Sequence, residues 1–180
     1  MDPIIAWHTE HTYFHQLLGL LHREMDLFHR GEAPNYELML DIVSYLREYA
    51  DRVHHPREDV AFARLAQRCP DLGLALARLA QEHRVIAHAG ENLHKLVQAA
   101  LGGAVIQRAE IEMAAATYLV YYGNHIAKEE EDVLPRAAKV LTAEDWDAVR
   151  RAVRPSRDPL FGGGSEERFR ELRRQIAVEA

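Results

Sequence analysis

Apolar residues recur along most of this chain at alternating steps of four and three, the period of an α-helix laid against a core. The first such segment reads Ile4, Trp7, His11, Phe14, Leu18, Leu21, Met25 and Phe28. The second, from about Asn35, reads Met39, Val43, Leu46, Ala50, His54, Glu58, Ala61 and Leu65. A third runs through Leu72, Leu76, Leu79, His83, Ile86, Gly90, Leu93 and Val97. The fourth, from about Val105, reads Ile111, Ala115, Tyr118, Tyr122, His125, Glu129 and Val133. No segment alternates at period two as a half-buried strand would. Breakers separate the four: Gly31 to Pro34, Cys69-Pro70-Asp71 and Gly102-Gly103. Four long amphipathic helices with short connections predict an all-α, up-down-up-down four-helix bundle.

The chain of 180 residues has room for one such domain and a sizeable core. The periodicity assigns residues 1–140 to the bundle and 141–180 to a short C-terminal helical extension packing on or beside it. Leu141-Thr142-Ala143-Glu144-Asp145 looks like a capped helix start, with Thr142 as the cap. A loop from Arg154 to Gly164 follows, and then an arginine- and glutamate-rich segment from Ser165 to about Val178 reads as a solvated or docking helix.

A net charge of −6 argues against a nucleic-acid partner, which would need clustered positive charge. Cys69 is the single cysteine, so an intrachain disulfide and any cysteine-rich zinc or iron–sulfur site are excluded. The N-terminus has no basic stretch leading into an apolar run, and the longest apolar stretch, Met113 to Tyr122, falls well short of the roughly 20 residues a bilayer crossing needs. These features lead to the expectation of a soluble cytoplasmic protein with no membrane association.

The histidines are out of proportion. There are eleven, against three lysines, and all precede residue 126. Four of them lie on the apolar stripes, one per helix, and in the second and fourth helices a glutamate follows one turn later. An internal repeat underlies this: Glu10-His11 recurs 72 residues on as Glu82-His83, and His54-x-x-x-Glu58 recurs 71 residues on as His125-x-x-x-Glu129. Equal spacing across each helical hairpin puts the polar groups of both halves at a similar height in the bundle.

Four imidazoles and two carboxylates in an apolar core need compensation, because an unpaired buried carboxylate costs several kcal/mol. A pair of metal ions would supply it, and imidazole with carboxylate suits iron or manganese. The i, i+4 spacing sets His54 with Glu58, and His125 with Glu129, about 6 Å apart on one helix face. The histidine can then serve one ion while the glutamate bridges to the other. The structural rival is a buried His–Glu hydrogen-bond network without metal.

These residues resemble the hemerythrin-like (HHE cation-binding) domains. The resemblance rests on Glu10-His11, on His54-His55-Pro56-Arg57-Glu58-Asp59, on Glu82-His83, and on the run from His125 through Glu129-Glu130-Glu131-Asp132 to Pro135. Leu141 to Trp146 and Arg157 to Gly162 also look like the tail of bacterial members. The resemblance implies two non-haem iron ions joined by an oxo or hydroxo bridge, with manganese or zinc as substitutes. His11, His54, His83 and His125 would be terminal ligands, and Glu58 and Glu129 bridging carboxylates.

Oxygen-carrying members use five histidines, including a His-x-x-x-His pair on the third helix. Here the positions flanking His83 by one turn are Leu79 and Ala87, so reversible oxygen carriage is not expected. His15 and His88 are candidates for an extra ligand. His8, His15, His22 and His29 form a row at seven-residue steps, about 10.5 Å apart, that cannot share one ion. His55 is expected to point away from the site because it adjoins His54, and His94 to be exposed. Pro56 should kink the second helix. Tyr118, Tyr121 and Tyr122 are expected to pack in the core, with a hydrogen bond to a ligand as their alternative role. Two other metal motifs are set aside: His-Glu-x-x-His does not occur, and Glu91-x-x-His94 stands alone off the stripe.

The functional expectation is a protein that binds or reacts with oxygen, hydrogen peroxide or nitric oxide. The alternatives are a non-enzymatic iron or oxygen sensor, or iron-handling protein, stabilised by metal, and a metal-free interaction module. A homodimer or a protein partner would be engaged through the C-terminal segment.

Overall fold

The computed structural model describes residues 3–154, 156–162 and 167–179. The loop and tail assignments at Pro155 and Gly163 to Glu166 lie outside the described residues. Among those described, the fold is all-α. The first long helix is α1 (Pro3–His29). The second is a continuous run of α2 (Tyr36–Tyr45), a π-helical segment (Leu46–His54) and α3 (His55–Arg68). The third is α4 (Gly73–Leu101), and the fourth joins α5 (Arg108–Lys128), a π segment (Glu129–Val133) and α6 (Leu134–Val140). The extension adds α7 (Ala143–Ala152) and α8 (Arg170–Glu179).

The boundaries follow from local chemistry. Gly31 and Gly103 take positive φ just past the ends of α1 and α4, where a side chain would be strained. The Asn35 side chain accepts from the Leu38 amide and caps α2. Thr142 and Asp145 form the reciprocal capping box that starts α7.

Every residue on the four apolar stripes is buried except Leu72, which is partly so. Gly90 holds its stripe position because a Cβ there would approach Tyr118 Cε2 to 2.9 Å. α1 packs on α2 and α5, while α4 packs on α2, α3 and α5, which gives the antiparallel bundle.

The core has two apolar parts. The larger gathers residues such as Phe14, Tyr45, Ile86 and Tyr122, and includes Leu160, Phe169 and Leu172 of the tail. The smaller gathers Trp7, Phe62, Leu79 and Leu134, and is closed by Leu141 and Val149 of the extension. Each long helix leaves one part and enters the other at its polar residues: His11, His54 to Glu58, His83, and His125 to Glu129. The candidate ligands therefore form one layer between two dry regions.

Both π segments end just before a proline. The His55 amide donates to Ala50 and the Leu134 amide to Glu129, each one residue wider than an α-helical bond. Pro56 and Pro135 come next, at the starts of α3 and α6. Proline has no N–H and clashes with the carbonyl four residues back. The wider turn accommodates both demands, and the helical assignment continues past Pro56 by way of a π turn.

Candidate metal centre

Six side chains meet in the polar layer, all at most 5% exposed: His11, His54, Glu58, His83, His125 and Glu129. His11 and His54 bring their Nε2 atoms to 3.0 Å. Glu58 Oε1 lies 3.0 Å from His54 Nε2 and 3.4 Å from His11 Nε2, while its Oε2 lies 3.5 Å from His83 Nε2. Glu129 does the converse. Its Oε1 lies 3.0 Å from His125 Nε2 and 3.6 Å from His83 Nε2, and its Oε2 lies 3.5 Å from His11 Nε2. Each carboxylate thus offers one oxygen to the His11/His54 pair and the other to the His83/His125 side.

All four of these carboxylate oxygens, with His83 Nε2 and His125 Nε2, are buried with no hydrogen-bond partner among the described residues. A hydrogen-bond network would have satisfied them, as native proteins satisfy most buried polar atoms. Six lone-pair donors converging without partners fit metal cations.

The outward nitrogens are held by carboxylates that the stripes do not show. His54 donates from Nδ1 to Glu10 at 2.5 Å, and His125 Nδ1 faces Glu82 at 3.3 Å. His11 donates from Nδ1 to Glu130 at 2.6 Å, and His83 donates to Asp59 at 2.8 Å. The arrangement repeats between halves, with Glu10 and Glu82 preceding the lone histidines, and Asp59 and Glu130 following the buried glutamates. Such contacts fix the tautomer that directs Nε2 inward and raise its basicity. Arg57 binds both oxygens of Glu10, and Tyr49 donates its hydroxyl to the same carboxylate.

At His11, His83, Glu58 and Glu129 burial opposes charge, yet the opposite charges outweigh it. The His11 imidazole is pushed down by burial but raised to about 10 by Glu130, Glu58 and Glu129. His83 likewise rises to about 11 against its burial, through Asp59, Glu129 and Glu58. Burial raises the Glu58 carboxyl, but His54, His11 and His83 hold it well below the usual range. Glu129 is also lowered: burial and Glu58 raise it, and His125 and His83 prevail. Without metal, the layer balances buried carboxylates with protons on imidazoles, and a cation would displace those protons.

The hemerythrin HHE cation-binding domain model matches residues 2–137. The chain belongs to this family. Searches of curated proteins and of solved structures returned no match. The HHE domain binds metal cations, and the matched span contains the whole polar layer.

Several histidines lie elsewhere than expected. His55 is 3% exposed and faces inward, contrary to the expectation from its adjacency to His54. It belongs to a group with Glu58, His83 and His125 whose potential ligand atoms lie within 4.8 Å of one another, alongside the group His11, His54 and Glu58. The signal in the sequence was Pro56, which calls for a wider turn just before it. His15 and His88 are exposed and supply no ligand to this layer. His94 is partly buried rather than exposed, with its Nε2 3.1 Å from the Ser44 hydroxyl. Glu91 pairs with Lys95 at the surface. Tyr118 and Tyr122 are fully buried, their hydroxyls without a partner among the described residues, whereas Tyr121 is exposed. A surface groove of about 580 Å3 between α4 and α5, lined by Val85 and Met113 among others, contains none of the six residues. Among the described residues, no helix is long and apolar enough to cross a membrane.

Proposed function

We propose that this HHE domain is a non-haem di-iron protein that binds or reacts with a small oxidant or diatomic: oxygen, hydrogen peroxide or nitric oxide. His11 and His54 would hold one ion, His83 and His125 the other, with Glu58 and Glu129 spanning both. The observation that carries this reading is the division of each glutamate's two unpartnered oxygens between the two histidine sets. An iron pair, when bound, supplies redox chemistry toward such ligands. The chain's own residues orient the imidazoles through Glu10, Asp59, Glu82 and Glu130. The apolar regions above and below the layer, with Trp7, Phe14 and Phe62 against its histidines, keep bulk water out and leave room only for small molecules.

Iron analysis and absorbance of protein purified in air test this reading. Two irons per chain are expected, with charge-transfer bands that change on adding peroxide or nitric oxide; iron-free protein that cannot be reconstituted would overturn it. His125→Ala or Glu129→Ala should lower iron content, whereas exposed His22→Ala should not.

The unpartnered buried oxygens also favour a second reading, an iron or oxygen sensor whose fold is stabilised by metal. Thermal melts with and without chelator, read beside peroxide turnover, separate the two. A large metal-dependent shift with no turnover supports the sensor.

A further inference from the structure

This inference rests on the dinuclear reading and concerns its ligand set. Consecutive residues of an α-helix point roughly 100° apart, so two adjacent inward histidines serve different sides of one buried stripe. His54 takes the side of His11, Nε2 to Nε2 at 3.0 Å. His55 takes the other side: its ring stacks on His83 at 4.3 Å between centroids and stands edge-on to His125 at 5.8 Å. One nitrogen from each of His55, His83 and His125 and one Glu58 oxygen lie within 4.8 Å of one another. Glu58 follows His54 by four residues and His55 by three, one turn past both, and its two oxygens divide in the same way.

The π segment explains how both side chains reach the interior. It ends at His54, where the His55 amide donates to Ala50, and the wider turn feeds both histidines into the layer. Four inward histidines have a carboxylate on Nδ1, while His55 Nδ1 has no partner among the described residues. The Asp51 Oδ1 atom, 3.2 Å away, is itself unpartnered and out of hydrogen-bonding alignment. A buried ring nitrogen without a hydrogen bond is costly unless another interaction compensates it.

The internal repeat provides a comparison inside the molecule. His54 is followed by His55, but its counterpart His125 is followed by Ile126, which is 1% exposed and part of the larger apolar region. The halves agree at four histidines and two glutamates and differ here.

We propose that His55 is a fifth histidine ligand, on the ion held by His83 and His125. The centre is then asymmetric, with three imidazoles on that ion and two on the other.

His55→Ile copies the residue of the other half, and His55→Ala leaves space for a small molecule. Iron-loaded wild type and both variants are challenged with a chelator, and iron release is followed over time, with circular dichroism of the metal-free chains recording helicity. In both variants one iron should leave about tenfold faster than from wild type, and the other at the wild-type rate. Millimolar imidazole should slow the fast phase in His55→Ala only. Two irons retained at the wild-type rate in both variants, with imidazole without effect, would overturn the proposal while leaving the dinuclear reading intact. Wild-type protein that holds fewer than two irons would overturn that reading and this proposal with it.

Discussion

The Glu10 carboxylate accepts a hydrogen bond from His54 Nδ1 at 2.5 Å and so turns the other imidazole nitrogen toward His11 and Glu58. Glu82 faces His125 in the other half at the longer distance of 3.3 Å and shares its charge with Lys128. Glu10→Gln should therefore weaken iron retention by about 10- to 100-fold in chelator competition. Glu82→Gln should cost less.

Metal removal should destabilise the fold. At a metal concentration about 1,000 times Kd, binding adds about 4 kcal/mol to stability, which lowers Tm on chelation by roughly 8–16 °C for a chain of this size. Melting curves with and without chelator measure this. In Glu58→Gln the shift should shrink.

Metal uptake should release protons. In the metal-free layer His11 is raised to about 10 and His83 to about 11, so both are charged at pH 7 and must lose a proton to bind. Each displaced proton lowers the apparent affinity roughly tenfold per pH unit of acidification, or about 100-fold for the two between pH 8 and pH 7. An indicator dye in weakly buffered solution should record at least two protons per chain on loading.

Acid should weaken the metal-free fold through Glu10. Burial raises this carboxyl, but His54 and Arg57 lower it to about 2 from the usual 4.5. A depressed carboxylate stabilises the folded state fully above about 4.5, and that contribution is lost as pH falls through about 2. Urea midpoints should drop from pH 5 to pH 3 in the wild type. The drop should be smaller in Glu10→Gln.

The tail should be part of the stability of the bundle. Phe169 is 1% exposed and stands edge-on to Tyr45 at 5.8 Å, and Tyr45 donates its hydroxyl to Asp158 at 2.9 Å. Phe169→Ala should cost about 3–5 kcal/mol. Its Tm should fall while iron content, measured well below the transition, stays at the wild-type value.

The bundle and its six candidate ligands were legible because both depend on local phase. A helix carries its period along the chain, so His11, His54, His83 and His125 could be placed on the same stripes as Leu and Phe. The glutamates at i+4 followed from the same geometry. His55 was misplaced because that phase assumes an unbroken α-helical pitch, and the π turn before Pro56 changes it. The carboxylates on Nδ1 were missed for a different reason. Glu10 and Glu130 lie beside the stripes, and their partners, His54 and His11, are 44 and 119 residues away.

Periodicity, the breakers between segments and the 71- or 72-residue repeat determined four helices, their order and the inward position of one polar layer. Tertiary structure alone decided how each glutamate divides its oxygens, which carboxylate holds each imidazole, and that His55 joins His83 and His125. Those relations are distances between side chains on different helices. They are set by how the helices pack and by the width of a single turn, and no residue spacing within one helix contains them.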